Sequence, residues 1–486
     1  MLFNSFHFLY FFVVVTTLFF LLPTRFQRIL LLVSSCYFYM AFMPIYILIL
    51  GFNIVVDFFA GIFIEQHHGA KRKAFLVGSL IANIGLLAVF KYYNFFNDNI
   101  ATLFGCFHVD WHLPYLSILL PIGLSFHTFQ AMSYTVEVYR GNQRAERNFL
   151  TYSLYVMFYP QLVAGPIERP QNLLHQFKRH HDFDYQRVVD GLKRMAWGLF
   201  KKVVIADRLA IVVNSTYAAP HQYHGLNLVI AVFFFSYQIY CDFSGYSDIA
   251  LGAAQVMGFK LMKNFDNPYH SKSVSEFWNR WHISLFTWFR DYLYIPLGGN
   301  RRGRWRTYFN IAVVFLCSGL WHGAGWTFIL FGVINAFYVI FSLFTKNARE
   351  KAVHFCGLSR FPTLYSTIQV VTTFILISSA WAVFRANNIA DASYILTSIY
   401  TATVADVVAL FHNVPLNGVE APTSLLICFA LIVLLEAVQI FQTKVKIIDF
   451  LNGQPWYLRW SVYYAFILLL VFACTATGNE FYYFRF

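Results

Sequence analysis

The chain has 486 residues, of which 58% are hydrophobic and only 12% charged, with a formal net charge of +13 and a mean hydropathy of +0.53. Soluble domains carry about 25% charged residues, so this composition excludes a water-soluble globular protein and leaves a polytopic membrane protein. The basic residues are separated by apolar spans, which fits topology-setting loops better than a nucleic-acid surface.

In chain order, apolar windows fall near 1–22, 28–43, 45–64, 74–90, 115–138, 195–215, 226–258, 308–320, 326–343, 366–385, 422–441 and 456–475. Measured against the roughly 20 residues that span a bilayer, they predict an all-α polytopic membrane protein of roughly 11–12 transmembrane helices. The first window has no basic residue before it and no small-residue cleavage site after it, and is read as a retained span. Residues 150–167 and 276–297 are apolar but punctuated by polar groups, the pattern of re-entrant or interfacial helices. Basic segments at 25–28, 71–73, 140–147, 301–306, 346–351 and 444–446 alternate with the Lys- and Arg-poor loops 94–114, 216–225 and 386–421. This alternation puts the basic loops in the cytoplasm and both termini outside. Lys201, Lys202 and Arg208 break the pattern unless their helix begins deep in the cytoplasmic interface. With no linker and no repeat, a single integral-membrane domain over 1–486 is expected, with a motif-bearing core at about 115–385 and an aromatic tail at 481–486.

The 7 cysteines form no CxxC pair and no metal-ligand spacing, so neither a disulfide framework nor a metal is expected. Candidate chemistry rests on polar groups that persist in apolar surroundings. The segment 159–170 carries Gly165-Pro166 and Pro170, a turn at a membrane edge or a pocket wall with Glu168 and Arg169 paired. In 240–248, Asp242 and Asp248 are too costly to face lipid. They suit an acid/base dyad or the fixing of neighbouring cations, and Gly245 between them is expected to loosen the helix. In 277–302, Trp278, Trp281, Phe286 and Trp288 predict an aromatic amphipathic helix in the interface. It carries Asn279, Arg280, His282, Arg290 and Asp291, and Arg301 and Arg302 follow; the cations suit either lipid headgroups or phosphates. The fourth candidate is Trp321-His322-Gly323, an imidazole between two apolar stretches. A buried histidine is either a satisfied core residue or a base, and its ordinary pKa of ~6.5 suits it to accept a proton.

Taken together, these blocks resemble the membrane-bound O-acyltransferase family: Phe277-Trp278 and Arg280-Trp281-His282, then Trp288, Arg290-Asp291 and Gly298-Gly299-Asn300, then Gly319-Leu320-Trp321-His322-Gly323, with the 242–248 segment upstream. Within it the chain is similar to the bacterial branch that acetylates alginate and peptidoglycan. The resemblance implies a funnel of transmembrane helices with His322 at its narrow middle as the essential residue and His282 as its partner. It further implies acetyl-CoA as the cytoplasmic acyl donor, no metal, a polysaccharide as final acceptor, and an extracytoplasmic SGNH-type acetyltransferase partner. The setting implied is the bacterial cytoplasmic (inner) membrane.

Trp321, Asp242 and Asp291 would bind substrate, His282, Asn279 or a helix N-terminus would orient the base or donate to the oxyanion, and Arg280, Arg290, Arg301 and Arg302 would meet the donor's phosphates. The terminal 481–486 segment resembles an aromatic motif of this branch, and a similar motif ends a small protein of the D-alanyl transfer system. By position Tyr483 would carry the acyl group, unless the tail is an aromatic interface anchor. Two further readings compete: D-alanyl transfer from a carrier protein, and a transporter or channel, since intramembrane carboxylates and histidines also mark ion pathways.

Overall fold

The computed structural model describes residues 1–111, 113–117, 121–403, 406, 422–445, 447–473 and 481–482. Among them every named element is a helix, and the only β-type pairing is an isolated bridge between Phe265 and Trp281. Among the described residues 7 helices are long and apolar enough to cross a bilayer: Tyr46–Gln66, Gly69–Gly105, Leu226–Val256, Trp326–Phe344, Pro362–Arg385, Ser424–Lys444 and Trp456–Ala473. The protein is therefore an all-α polytopic membrane protein. Other windows become shorter or more polar helices. Phe6–Leu21 has 16 residues and Thr24–Met40 has 17. Leu124–Arg140 buries His127, Gln130, Ser133 and Thr135 against its neighbours.

Leu226–Val256 is the central element. Its most apolar stretch is 78% buried within the protein, against 0% for Trp456–Ala473 at the periphery. Glycines explain how closely it packs on Tyr185–Phe200. A Cβ on Gly198 would stand 2.5 Å from the Gly245 carbonyl oxygen, and one on Gly252 would stand 2.6 Å from that of Gly191. Two glycines one pair of helical turns apart on each helix thus face each other antiparallel. Small residues of this kind let membrane helices approach to backbone contact. Gly245 does not loosen the helix as expected; it is a contact point within an unbroken one.

The same close approach puts two basic residues in the interior. Tyr185–Phe200 continues through a π-turn, Lys201–Ala206, into Asp207–Ala218. Lys201 and Lys202 are buried and reach Asp248 and Asp242 on the central helix at 2.7 and 2.8 Å. They break the topology pattern because they are interior ion-pair partners and belong to no loop.

The segment 276–297 also differs from expectation. It splits into Val274–Arg280 and Ile283–Phe289, and the Phe265–Trp281 bridge occupies the break. Trp278, Trp281 and Trp288 are buried in the core. Two of their indoles find internal acceptors: Trp278 Nε1 donates to Asn335 Oδ1 at 3.1 Å and Trp288 Nε1 to the Phe129 carbonyl at 2.9 Å. An indole whose N–H is satisfied inside has no need of the interface. The non-helical stretch 158–169 is wholly buried in protein, the condition under which such backbone is tolerated at membrane depth.

Candidate active site

Two helices and a turn bring the candidate histidines together. Arg304–His322 and Trp326–Phe344 form an antiparallel hairpin, and His322 is the last helical residue before the turn. Gly319 and Gly332 permit the contact, since a Cβ on either would stand 2.3 Å or 2.5 Å from a carbonyl oxygen of the other helix. His282 sits in the break described above, with φ 46° and ψ 52°. This left-handed conformation costs a non-glycine residue about 1–2 kcal/mol, so its surroundings must hold it. They do: Ile283 N–H donates to the Asn264 carbonyl at 3.0 Å and Asp266 N–H to that of Arg280 at 2.9 Å. Ser284 Oγ donates to Asn264 Oδ1 at 2.6 Å and accepts from Ile167 N–H at 3.0 Å.

Both imidazoles are buried and both pack on one indole. The Trp321 ring centroid lies 5.0 Å from His322 and 5.8 Å from His282. Aromatic rings pack around them: Phe243 edge-on to His282 at 4.7 Å, Phe126 at 6.0 Å from His282, and Phe384 edge-on to His322 at 5.3 Å. The result is an aromatic cluster packed around two buried imidazoles. A neutral imidazole there can take a proton from a weak hydroxyl nucleophile and return it to a leaving group.

Asp242 lies one residue before Phe243, and both of its oxygens are engaged. Oδ1 accepts from Lys202 Nζ at 2.8 Å, and Oδ2 accepts from the Tyr482 backbone N–H at 2.8 Å. Lys202 also binds Asp207 at 2.9 Å. The tail residues Phe481 and Tyr482 are accordingly buried. Phe481 packs edge-on to Tyr246 at 5.0 Å beneath the Lys202 ammonium at 4.6 Å. Tyr482 lies between Phe235 at 5.4 Å and the Arg385 guanidinium at 5.3 Å. Arg385 follows Phe384, so Phe481 and Tyr482 dock on the neighbours of two of the rings that touch the histidines. Tyr483 lies outside the described residues.

The remaining candidates sit elsewhere. Asn279, Arg290, Arg301 and Arg302 are exposed. Arg280 pairs with Glu276 at 2.7 Å and Arg290 with Asp291 at 2.8 Å. Asp291 also meets Arg169 at 3.8 Å, so the ion pair drawn for Arg169 is with Asp291. The buried Glu168 carboxylate instead accepts from the Met262 N–H. Asp248, held by Lys201 at 2.7 Å and Arg194 at 3.0 Å, lines a cavity of about 1100 Å³ with Tyr240, Ser244, Asn264 and Phe265. Phe265 stands edge-on to Phe243 at 5.0 Å, so two rings, Phe265 and Phe243, separate this cavity from His282. Sequence reasoning passed over Lys91, whose ammonium reaches the Trp321 carbonyl at 2.5 Å. The available signal was a lysine inside an apolar span.

The fold is that of an all-α membrane protein, and sequence comparison gives its class. Residues 141–381 match MBOAT, the membrane-bound O-acyltransferase family. The chain belongs to this family and is an acyltransferase. It is 36% identical over 394 residues to the probable alginate O-acetylase AlgI of Pseudomonas aeruginosa, covering 80% of this chain and 73% of that protein. It is 34% identical over 400 residues to the peptidoglycan O-acetyltransferase of Helicobacter pylori, covering 76% and 73%. The teichoic acid D-alanyltransferase of Streptococcus thermophilus is 30% identical over 240 residues, covering 45% and 56%.

Proposed function

We propose that this protein takes an acetyl group from acetyl-CoA on the cytoplasmic side of the bacterial inner membrane and passes it across for O-acetylation of an envelope polysaccharide or exopolysaccharide of alginate or peptidoglycan type. The observation that carries this reading is the packing of His322 and His282 on Trp321 inside a buried aromatic cluster. The acetyl assignment is supported by the AlgI and peptidoglycan relatives, which align over a larger share of both chains than the D-alanyl relative does. In this reading His322 takes the proton of the attacking hydroxyl while the new C–O bond forms and the C–S bond breaks. The proton then goes to the leaving thiolate. His282 orients the base or steadies the developing oxyanion. The cavity of about 1100 Å³, at the upper end of small-ligand sites, gives the donor its approach to the cluster.

Burial of Phe481 and Tyr482 supports a relay, since it holds the first two tail residues inside the protein. The tail then offers the Tyr483 hydroxyl as first acceptor, and an extracytoplasmic SGNH-type partner collects the acetyl group for the polysaccharide. The test is purified protein in nanodiscs with radiolabelled acetyl-CoA. Acetyl transfer or slow thioester hydrolysis is expected, lost in His322→Ala. Tyr483→Phe is expected to stop delivery to the partner. Full turnover in folded His322→Ala refutes the catalytic assignment, and normal delivery by Tyr483→Phe refutes the relay. Turnover of a D-alanyl carrier thioester but not acetyl-CoA would overturn the acetyl reading.

A further inference from the structure

The helix that carries His322 ends in a way that demands outside help. The last carbonyls of any helix lack intrahelical donors, and the usual remedy is a left-handed residue just past the end. Here Gly323 is extended, with φ −170° and ψ 157°, so the chain leaves without that turn. The donors come from far away in sequence. Lys91 Nζ donates to the carbonyls of Trp321 at 2.5 Å and His322 at 3.2 Å, and Tyr92 Oη donates to that of Leu320. Three consecutive carbonyls, ending at the candidate base, are thus met by two consecutive side chains.

Two adjacent residues of a regular α-helix point about 100° apart, given 3.6 residues per turn, and do not converge so readily on one helix end. The local backbone is not regular: Ala88–Tyr92 is a π-turn inside the Gly69–Gly105 helix. Single π-turns of this kind are frequent at functional sites. The same helix holds the far side of the turn. Asn99 Oδ1 accepts from Trp326 Nε1 at 3.0 Å, and the Phe95 ring lies 6.0 Å from that indole. Lys91, Phe95 and Asn99 are spaced by four and share a face, so the residues either side of Gly323-Ala324-Gly325 are gripped together. The ammonium also lies 5.9 Å over the Trp321 ring, the indole on which both histidines pack. A cation at a helix C-terminus is favourable, whereas a lysine within an apolar span is otherwise costly. The two carbonyls at this helix end give its head group acceptors there.

We propose that Lys91 is a positioning residue for His322: with Tyr92 and Asn99 it clasps the 320–326 turn and fixes where the imidazole and its tryptophan stand. The inference rests on the reading of His322 as the base. Misplacing a reacting group by about 1 Å costs on the order of 10²-fold in rate, so the clasp acts on kcat and leaves donor binding alone. The test is steady-state kinetics with acetyl-CoA on full-length protein in nanodiscs. Lys91→Met is expected to lower kcat by about 10²-fold at unchanged KM, and Lys91→Arg, which keeps a cation able to donate to two carbonyls, to restore most of it. Wild-type kcat in Lys91→Met, a rise in KM alone, or equal losses in Lys91→Met and Lys91→Arg would overturn the proposal. If Lys91→Met fails to fold, Tyr92→Phe decides the matter: lower kcat at unchanged KM supports the clasp and wild-type kcat refutes it. His322→Ala, assayed alongside, separates the two failures. An active His322→Ala refutes the reading of the base, and an inactive one beside a fully active Lys91→Met refutes the clasp alone.

Discussion

Two regions of this protein concentrate polar groups in apolar sequence, and they fold to opposite ends of the burial scale. The histidine cluster draws residues 126, 243, 282 and 384 from four parts of the chain onto the adjacent residues 321 and 322. The arginine-rich stretch from Arg290 to Arg306 stays at the surface, with Arg290 paired to its own neighbour Asp291 and Arg306 bound to the Leu297 carbonyl. Local density of charge therefore marks a surface here. The site comes from single polar residues, each costly where it stands, that converge only in the fold.

The sharpest way to break this contrast is to alter the cluster without disturbing its backbone. His282 occupies the left-handed region, where asparagine is tolerated far better than most residues. His282→Asn therefore removes the imidazole and keeps the chain path. Expected is a fall in kcat of about 10²-fold, the lower end of what a positioned acid–base group contributes, with an unchanged unfolding midpoint in detergent. A variant with wild-type kcat would reduce His282 to a packing residue and leave His322 to act alone.

The second-largest effect is expected beside the histidine cluster, at the buried Lys202. Its ammonium holds Asp242 and Asp207 at 2.8 and 2.9 Å, and Asp242 in turn holds the Tyr482 N–H. Removing one partner of a buried ion pair costs about 3–5 kcal/mol because the other charge is left uncompensated. Lys202→Met should lower the unfolding midpoint sharply and expose the tail to added protease. Lys202→Met with Asp207→Asn and Asp242→Asn should recover much of the stability, since the stranded charges are gone. If the tail stays protected in Lys202→Met, docking depends on the Phe481 and Tyr482 rings more than on the carboxylate.

How much of this was legible beforehand varied with the kind of signal. The membrane class followed from composition, because few charged residues leave no other solvent for so much apolar surface, and the helical class followed from apolar windows of bilayer-spanning length. His322, His282 and Trp321 followed from motif blocks, and the structure puts them together. Lys202 was visible as a charge in the wrong place, but its meaning needed the facing helix: Asp242 is 40 residues away in sequence and adjacent only through the Gly198 and Gly245 contact. The buried tryptophans of 278–288 misled because aromatic density reads alike at an interface and in a core. What separates them is an internal acceptor such as Asn335, which no local pattern reveals. Lys91 was the least legible, since its partners are backbone carbonyls more than 200 residues further on, and carbonyls carry no sequence signature.

The smallest effect should come from the exposed arginines, and its character matters more than its size. Arg301 and Arg302 are solvent-exposed, so any contact with donor phosphates is screened by salt within a Debye length of about 10 Å at 0.1 M. Arg301→Gln with Arg302→Gln is expected to raise KM for acetyl-CoA a few-fold at low ionic strength, with the difference fading near 0.3 M salt as the Debye length shortens. Neither kcat nor the unfolding midpoint should move, since surface substitutions cost within about 0.5 kcal/mol. A kcat loss that persists in high salt would mean that these side chains act on the reacting group itself. The division between a buried site of chemistry and a surface of capture would then fail where it is easiest to test.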